Sequence, residues 1–420
     1  MKVSKTKLIA KLLKTNQHKK ISLGLSRTRK ALKYINWQKK TKSRILTCNG
    51  TSAKFSILYL IKKILIENNN TYAATFSPHI FKISERIEVN SKNISISKLK
   101  NILNKIYKIP VRLTEFEMLC LAFAEFIKSK NIQYTIGEFG LLGRKDALRA
   151  LFPSPDVHIV SPILFDHLQW LKNQKGNLKT LKEIVYEKTS FLRAKKIYVS
   201  KQHPHSLRFI QHYLKNKNSF YYGRDFWLKR KKGKYFYQDK KHNFEIKSNL
   251  LGDFMYENAV LAIKVAIDEG IPLSIIKRSL TNITIPGRMQ EIKSGKLRKF
   301  LPNSTLIFAD GAHNSLSSKS VCTALLNKYK NKDLYAIISM ISSKDPSSFL
   351  KPFKKFKKVF FVNMKQSNVY PKETLFKISK KLNIRSTISE NCNEAIKSIS
   401  DKRNAVFLVT GSFYYLQEII

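Results

Sequence analysis

The stretch Arg44-Ile-Leu-Thr-Cys48-Asn-Gly50-Thr-Ser-Ala-Lys54-Phe-Ser56 decides how the rest of the chain is read. Residues 44–48 form a short apolar run that reads as a buried strand. After the turn, Ile57, Leu58, Leu60, Ile61, Ile64 and Leu65 recur at spacings of three and four, which places one apolar stripe on a helix. A Gly-containing turn between a strand and a helix puts unpaired backbone N–H groups and a positive dipole end where a polyphosphate can rest. Lys54 is then placed to neutralise phosphate, and the Ser56 hydroxyl to ligate Mg²⁺. The GxxxxGK[ST] pattern does not match, because Ala53 takes its last Gly and one residue separates Lys54 from Ser56. On this stretch alone, an ordinary strand-to-helix turn and a phosphate loop fit equally.

Working outward, strand-like and helix-like runs alternate. Tyr72–Phe76, Tyr134–Phe139 and His158–Ile163 read as strands, and Met118–Ile127, Leu178–Leu192 and Glu257–Glu269 as helices. Past Ile285-Pro-Gly-Arg288 the alternation restarts, with strands at Leu306–Ala309, Leu334–Ser339, Val359–Val362 and Ala405–Val409. Such alternation predicts parallel sheets covered on both faces. Two aromatic runs, Phe226-Trp-Leu and Tyr235-Phe-Tyr, flank Lys229-Arg-Lys-Lys-Gly-Lys234 and predict a hairpin on a small accessory sheet.

The chain has 420 residues, 43% of them hydrophobic, which is enough for two substantial cores and argues against disorder. Four scattered cysteines, with no CxxC pair, argue against a disulfide framework and fit a reducing compartment. No run approaches the ~18 apolar residues of a membrane span. Lys7, Lys11 and Lys14 interrupt the only apolar run near the start, so a secretory signal is not expected. The formal charge of +51 invites a nucleic-acid-binding reading, but the lysines are spread along the whole chain. Net charge governs solubility and adhesion rather than fold. The expectation is therefore a cytoplasmic monomer with no specific nucleic acid and no membrane among its partners.

Further segments follow the loop in order: Ser77-Pro-His79, Glu85-Arg-Ile87, Val89-Asn90, Glu138-Phe-Gly-Leu-Leu-Gly-Arg-Lys-Asp-Ala147, Ser161-Pro-Ile163, Asp166-His167 and Glu187-Lys188. Gly223-Arg-Asp-Phe226, Asn258-Ala259, Pro286-Gly-Arg288, Asp310-Gly-Ala-His-Asn314, Lys344-Asp345 and Gly411-Ser-Phe-Tyr414 complete the set, with Ile21-Ser-Leu-Gly-Leu25 ahead of it. Together they resemble the folylpolyglutamate synthase/dihydrofolate synthase family of the Mur ligase superfamily, over nearly the whole chain. The resemblance implies an α/β fold: a phosphate-loop domain with a mainly parallel sheet and a small antiparallel sheet (1–289), then a smaller Rossmann-like domain (290–420).

It also implies an ATP-dependent ligase that joins L-glutamate to a pterin carboxylate (dihydropteroate or a folate) through an acyl phosphate. By that resemblance Gly50, Thr51, Ser52, Ala53, Lys54, Phe55 and Ser56 hold ATP phosphates. Asn258 meets the adenine, and Arg288, Asp310 and His313 meet the nucleotide. Two Mg²⁺ ions fall to Ser56, Ser77, Glu138 and His167, where hard oxygen donors suit the cation. Lys54, Lys188 and His167 are the implied catalytic groups, Lys188 as a carbamate. Leu23, Gly24, Leu25, Phe116, Gly143, Arg144 and Asp146 are the implied substrate contacts.

The chain departs from the family pattern at Ala53, Leu142, Leu148, Arg149, Phe254, Met255 and Ile285. Alanine at position 53 is compatible with the loop if its φ is negative. The alternatives are a degenerate nucleotide-binding relative and a basic nucleic-acid-binding protein.

Overall fold

A computed structural model describes residues 22–37, 42–165, 180–366, 368–399 and 401–419, with Ile9 and Leu13. The chain divides into two compact units, Met1–Lys247 with Glu257–Thr281, and Ser248–Tyr256 with Asn282–Ile420. The Pro286-Gly-Arg288 turn and the expected boundary at Met289 thus lie within the second unit.

The first unit is built on an eight-stranded sheet ordered β4-β3-β2-β5-β1-β6-β7-β8. Its strands are β1 (Arg44–Asn49), β2 (Tyr72–Thr75), β3 (Glu88–Val89), β4 (Lys92–Asn93), β5 (Tyr134–Glu138), β6 (Val157–Val160), β7 (Lys196–Val199) and β8 (Ser219–Tyr221). The sheet is parallel from β2 to β8, with the short β3 and β4 added antiparallel at one edge. Continuous apolar runs in β1 and β6 follow from burial on both faces. The chain runs from β1 to β2 on one side, and from β5 past β1 to β6 on the other, so the strand order reverses at β1. Open parallel sheets bind ligands beyond the strand ends at such a point.

The expected hairpin forms as β9 (Phe226–Lys231) and β10 (Lys234–Asp239), joined by β11 (Asn243–Glu245) in a three-stranded antiparallel sheet. Both turn residues, Lys232 and Gly233, have positive φ (49° and 77°), the geometry that suits a two-residue hairpin.

The second unit carries a six-stranded sheet ordered β12-β13-β17-β14-β15-β16. These are β12 (Gln290–Glu291), β13 (Leu306–Ala309), β14 (Asp333–Ile338), β15 (Lys358–Phe361), β16 (Ser386–Ile388) and β17 (Ala405–Thr410). All pair in parallel except β12. Separate apolar clusters cover its two faces, one around Phe308, Phe349 and Leu408, the other around Ile307, Phe360 and Phe407. The mixed α/β class and the small accessory sheet are those expected from the sequence.

All four cysteines are buried free thiols, and burial raises the pKa of each, to about 12 for Cys392. Among the described residues, no helix is long and apolar enough to cross a membrane.

Candidate functional site

In the first unit the loop after β1 is held by its neighbour strand. A Cβ at Gly50 would lie 2.0 Å from Ser161 Oγ, so only glycine lets the chain pass there, at φ 142°. The Thr51 and Ser52 amides both donate to the Pro162 carbonyl, at 2.8 and 3.3 Å. Thr51 Oγ1 donates to the Leu164 carbonyl at 3.2 Å and accepts the Leu164 amide at 3.0 Å. With those groups turned to residues 162–164, the helix Lys54–Glu67 starts with no side-chain cap. Its first amides, at Lys54, Phe55 and Ser56, are the donors available to an anion.

Ala53 has φ 64° and ψ −5°. The negative φ under which alanine was acceptable is therefore not adopted. The loop keeps the left-handed turn a glycine would provide, and alanine carries its steric cost. Leu142, the other replacement of a family glycine, also has positive φ (55°).

Lys54, Ser77 and Glu138 come together. Lys54 Nζ lies 3.9 Å from Glu138 Oε1, with the two side chains 13% and 4% exposed. Glu138 Oε2 accepts the Ser77 amide at 3.0 Å. Ser77 Oγ is buried without a hydrogen-bond partner. Lys188, from the helix Leu181–Thr189, is buried and donates Nζ to the Gly50 carbonyl at 2.9 Å, while its own carbonyl accepts Asn49 Nδ2 at 2.6 Å. A buried carboxylate, an orphan hydroxyl and the Ser56 hydroxyl are hard oxygen donors that fit a divalent cation. His167 and Asp166 lie outside the described residues. Among the described residues no cluster of three His, Cys, Asp or Glu could hold a metal.

The implied substrate residues form a second group beside this one. Leu25 precedes the helix Ser26–Tyr34, whose Arg27 donates to Glu117 at 3.0 Å and to the Ser22 carbonyl at 2.6 Å. Leu23, Gly24 and Leu25, all half-buried, are thereby tied to the helix that carries Phe116. A Cβ at Gly140 would stand 3.0 Å from the Phe116 ring. Gly143 has φ 146°, and a Cβ there would lie 2.8 Å from Asn49 Nδ2.

Asp146 is turned to backbone: it accepts the amides of Gly140, Leu141 and Leu148 at 2.9, 3.0 and 2.9 Å. Burial pushes its pKa up to about 6 despite these bonds. Arg144 pairs with Glu187, at 2.8 Å from Nε and 2.6 Å from Nη2.

The Ser77-Pro-His79 and Glu85-Arg86 segments close their own loop. Glu85 accepts the amides of Ile80, Phe81 and Lys82, and Arg86 Nε donates to His79 Nδ1 at 3.1 Å. Burial and the adjacent Arg86 push the His79 pKa down to about 4. Asn258 is buried on the helix Asp253–Asp268.

In the second unit, Asp310 follows β13 and accepts the amides of Met289 and Ala312, each at 2.8 Å. Burial raises its pKa, while Arg288 and those two amides act in the opposite direction. His313 Nδ1 lies 2.8 Å from the Gly311 carbonyl. Asn314 caps the helix Ser315–Lys328. Sequence reasoning missed the hub of this group, Phe413. The Arg288 guanidinium lies 4.2 Å from its ring centroid, and Cβ atoms at Gly287 and Gly311 would meet that ring at 2.9 and 2.4 Å. Gly411-Ser-Phe-Tyr414 was the available signal. Arg288, Asp310 and His313 thus belong to one cluster.

A parallel sheet with a held loop at its switch point, followed by a lysine and beside a buried carboxylate, defines an α/β protein with free helix-start amides and a cation gathered at the strand ends. No family model matches the chain. It is 24% identical over 439 residues to the Bacillus subtilis dihydrofolate synthase/folylpolyglutamate synthase, covering 94% of each chain. Its fold is similar to that of Escherichia coli FolC in complex with DHPP and ADP (TM-score 0.84, 21% identity, 98% and 96% of the two chains). It is also similar to a bifunctional folylpolyglutamate synthase/dihydrofolate synthase with Mn, AMPPNP and L-glutamate bound (TM-score 0.81, 19% identity, 99% and 97%). A second relative of the same description, from Buchnera aphidicola subsp. Baizongia pistaciae, is 23% identical over 386 residues, covering 89% of this chain and 85% of its own.

Proposed function

We propose that this protein is an ATP-dependent ligase that adds L-glutamate to dihydropteroate or folates. The observation that carries the reading is the Lys54–Glu138–Ser77 grouping at the mouth of the Gly50–Ser56 loop. A carboxylate is a poor electrophile, so its oxygen first takes the γ-phosphoryl group of ATP. The glutamate amine then attacks the acyl carbon, the C–O bond to phosphate breaks, and the amine gives up a proton. Phosphoryl transfer depends chiefly on positioning and charge neutralisation. Lys54 supplies a cation and the helix start supplies N–H donors.

Ser56, Ser77 and Glu138 would hold Mg²⁺, with His167 as a further ligand; the metal supplies charge neutralisation when bound. We assign two ions and a carbamylated Lys188 to the working enzyme. A carbamate nitrogen keeps one N–H, so the bond to the Gly50 carbonyl is compatible with the modification. Asn258 contacts adenine, and Arg288, Asp310 and His313 contact the phosphates or ribose. Leu23, Gly24, Leu25, Phe116, Gly143, Arg144 and Asp146 shape the acceptor site. The enzyme acts as a cytoplasmic monomer.

The test is ADP release in the presence of Mg²⁺, with dihydropteroate or folate and glutamate each omitted in turn, and products identified by mass. Turnover that needs both substrates supports the ligase. Nucleotide binding without turnover identifies a degenerate relative.

A further inference from the structure

The residues beside Lys54 and Ser77 make a second junction between the same two segments. Lys54 Nζ stands 3.9 Å from Glu138 Oε1, and the Ser77 amide donates to Glu138 Oε2 at 3.0 Å. One position on from Lys54 and one back from Ser77, the Phe55 and Phe76 rings meet edge to face. Their centroids are 5.2 Å apart and their planes cross at 80°. That spacing and angle are those of a favourable aromatic pair. The start of the helix Lys54–Glu67 and the segment leaving β2 are therefore fastened twice. Residues 54 and 77 join through the carboxylate, and residues 55 and 76 through their rings.

The ring junction is braced further along the same helix. Phe55 also packs on Tyr59, one turn on, with centroids 5.5 Å apart. Lys62 Nζ lies 4.4 Å from the Tyr59 centroid and 5.6 Å from the Phe76 centroid, and it donates to both Glu88 carboxylate oxygens at 3.0 Å. Phe76 is buried. Two turns of one helix thus bear on its ring, and Ser77 follows it directly in the chain. Ser77 Oγ is buried with no hydrogen-bond partner, so its place is set by the backbone that carries it. We infer that Phe55 is a positioning residue: through the Phe76 ring it sets where the Ser77 hydroxyl stands against Glu138. It thereby ties the phosphate loop to the oxygen donors of the divalent cation. This inference rests on the reading of Ser77 and Glu138 as metal donors.

The test compares full-length wild type with Phe55→Leu, Phe76→Leu, the double variant and Phe55→Tyr. Leucine keeps each site apolar and removes the ring pair, whereas tyrosine keeps a ring at position 55. Calorimetry gives the affinity for a non-hydrolysable ATP analogue with Mn²⁺ and without metal. The ratio of the two isolates the metal's share, because contacts to the phosphates themselves cancel. Each leucine variant should lower that ratio about three- to tenfold, the contribution of one aromatic pair. The double variant should fall no further than the singles, and Phe55→Tyr should keep the wild-type ratio. A ratio unmoved in Phe55→Leu, even with a lower urea midpoint, marks the rings as packing alone and overturns the inference. Additive losses in the double variant overturn it too. If Phe76→Leu fails to fold, Phe55→Leu and Phe55→Tyr decide, and an equal fall in both overturns it. If Mn²⁺ adds no affinity in the wild type, the metal-donor reading falls and this inference with it, while ADP release judges the ligase separately.

Discussion

Ala53 sits in a left-handed conformation that glycine adopts without cost. Ala53→Gly is therefore expected to stabilise the protein by about 0.5–1 kcal/mol, once glycine's greater unfolded-state freedom is subtracted. Urea unfolding midpoints of the two proteins check this. Lys54→Ala should reduce ATP-dependent turnover by about a hundredfold or more and, because it takes the neighbouring cation from the buried Glu138 carboxylate, should also lower the unfolding midpoint.

His158 gives a pH prediction. It is buried in β6 against Thr47, and burial alone pushes its pKa down to about 3. The native state refuses a proton that the unfolded chain accepts below about pH 6.5, so His158 contributes stability above that pH and loses it progressively toward pH 3. Asp146, raised to about 6, has the opposite sign: its contribution is present below about pH 4 and is lost as pH rises through 6. Relative to His158→Asn, the wild type should lose about 2 kcal/mol of unfolding free energy between pH 7 and pH 5. A constant difference across that range would refute the assignment.

At the scale of elements, much was legible because the strands carry unbroken apolar runs. Leu306–Ala309 forms as read, and Tyr134–Phe139 and Val359–Val362 are off by a residue at one or both ends. Residues 178–192 read as one helix, but Thr180 caps it and it closes at Thr189. The helix Lys372–Lys381 and strand β16 went unread, because lysines crowd a short segment with few apolar residues. The charged residues of the candidate site stand out in the sequence through their motifs, whereas the groups that hold its loop do not. The Pro162 carbonyl that takes two loop amides is backbone, and no side-chain pattern announces it.

Phe413 was hidden for a different reason, since it acts by filling space beside glycines. Gly311 lies outside the left-handed region, so an alanine there is limited by room rather than by backbone. Gly311→Ala should displace the Phe413 ring, cost about 1–3 kcal/mol, and lower turnover more than it lowers stability alone would suggest. Activity measured well below the unfolding midpoint separates the two effects.

At the scale of the whole molecule, identity near one residue in four over 94% of the chain has kept the fold. The +51 charge is carried by lysines along the length of the sequence and has left both architectures intact. If the loop grips nucleotide, a non-hydrolysable ATP analogue with Mg²⁺ at about a hundred times its dissociation constant should add about 2.7 kcal/mol to stability. Differential scanning fluorimetry would show the shift in the wild type and its loss in Lys54→Ala.

The sequestered thiols have a practical corollary. With every native sulfhydryl sealed in and poorly acidic, a maleimide added to the folded protein should find almost nothing to alkylate. A cysteine introduced on the surface of either unit would then be the sole target for a dye, with no prior removal of the natural residues.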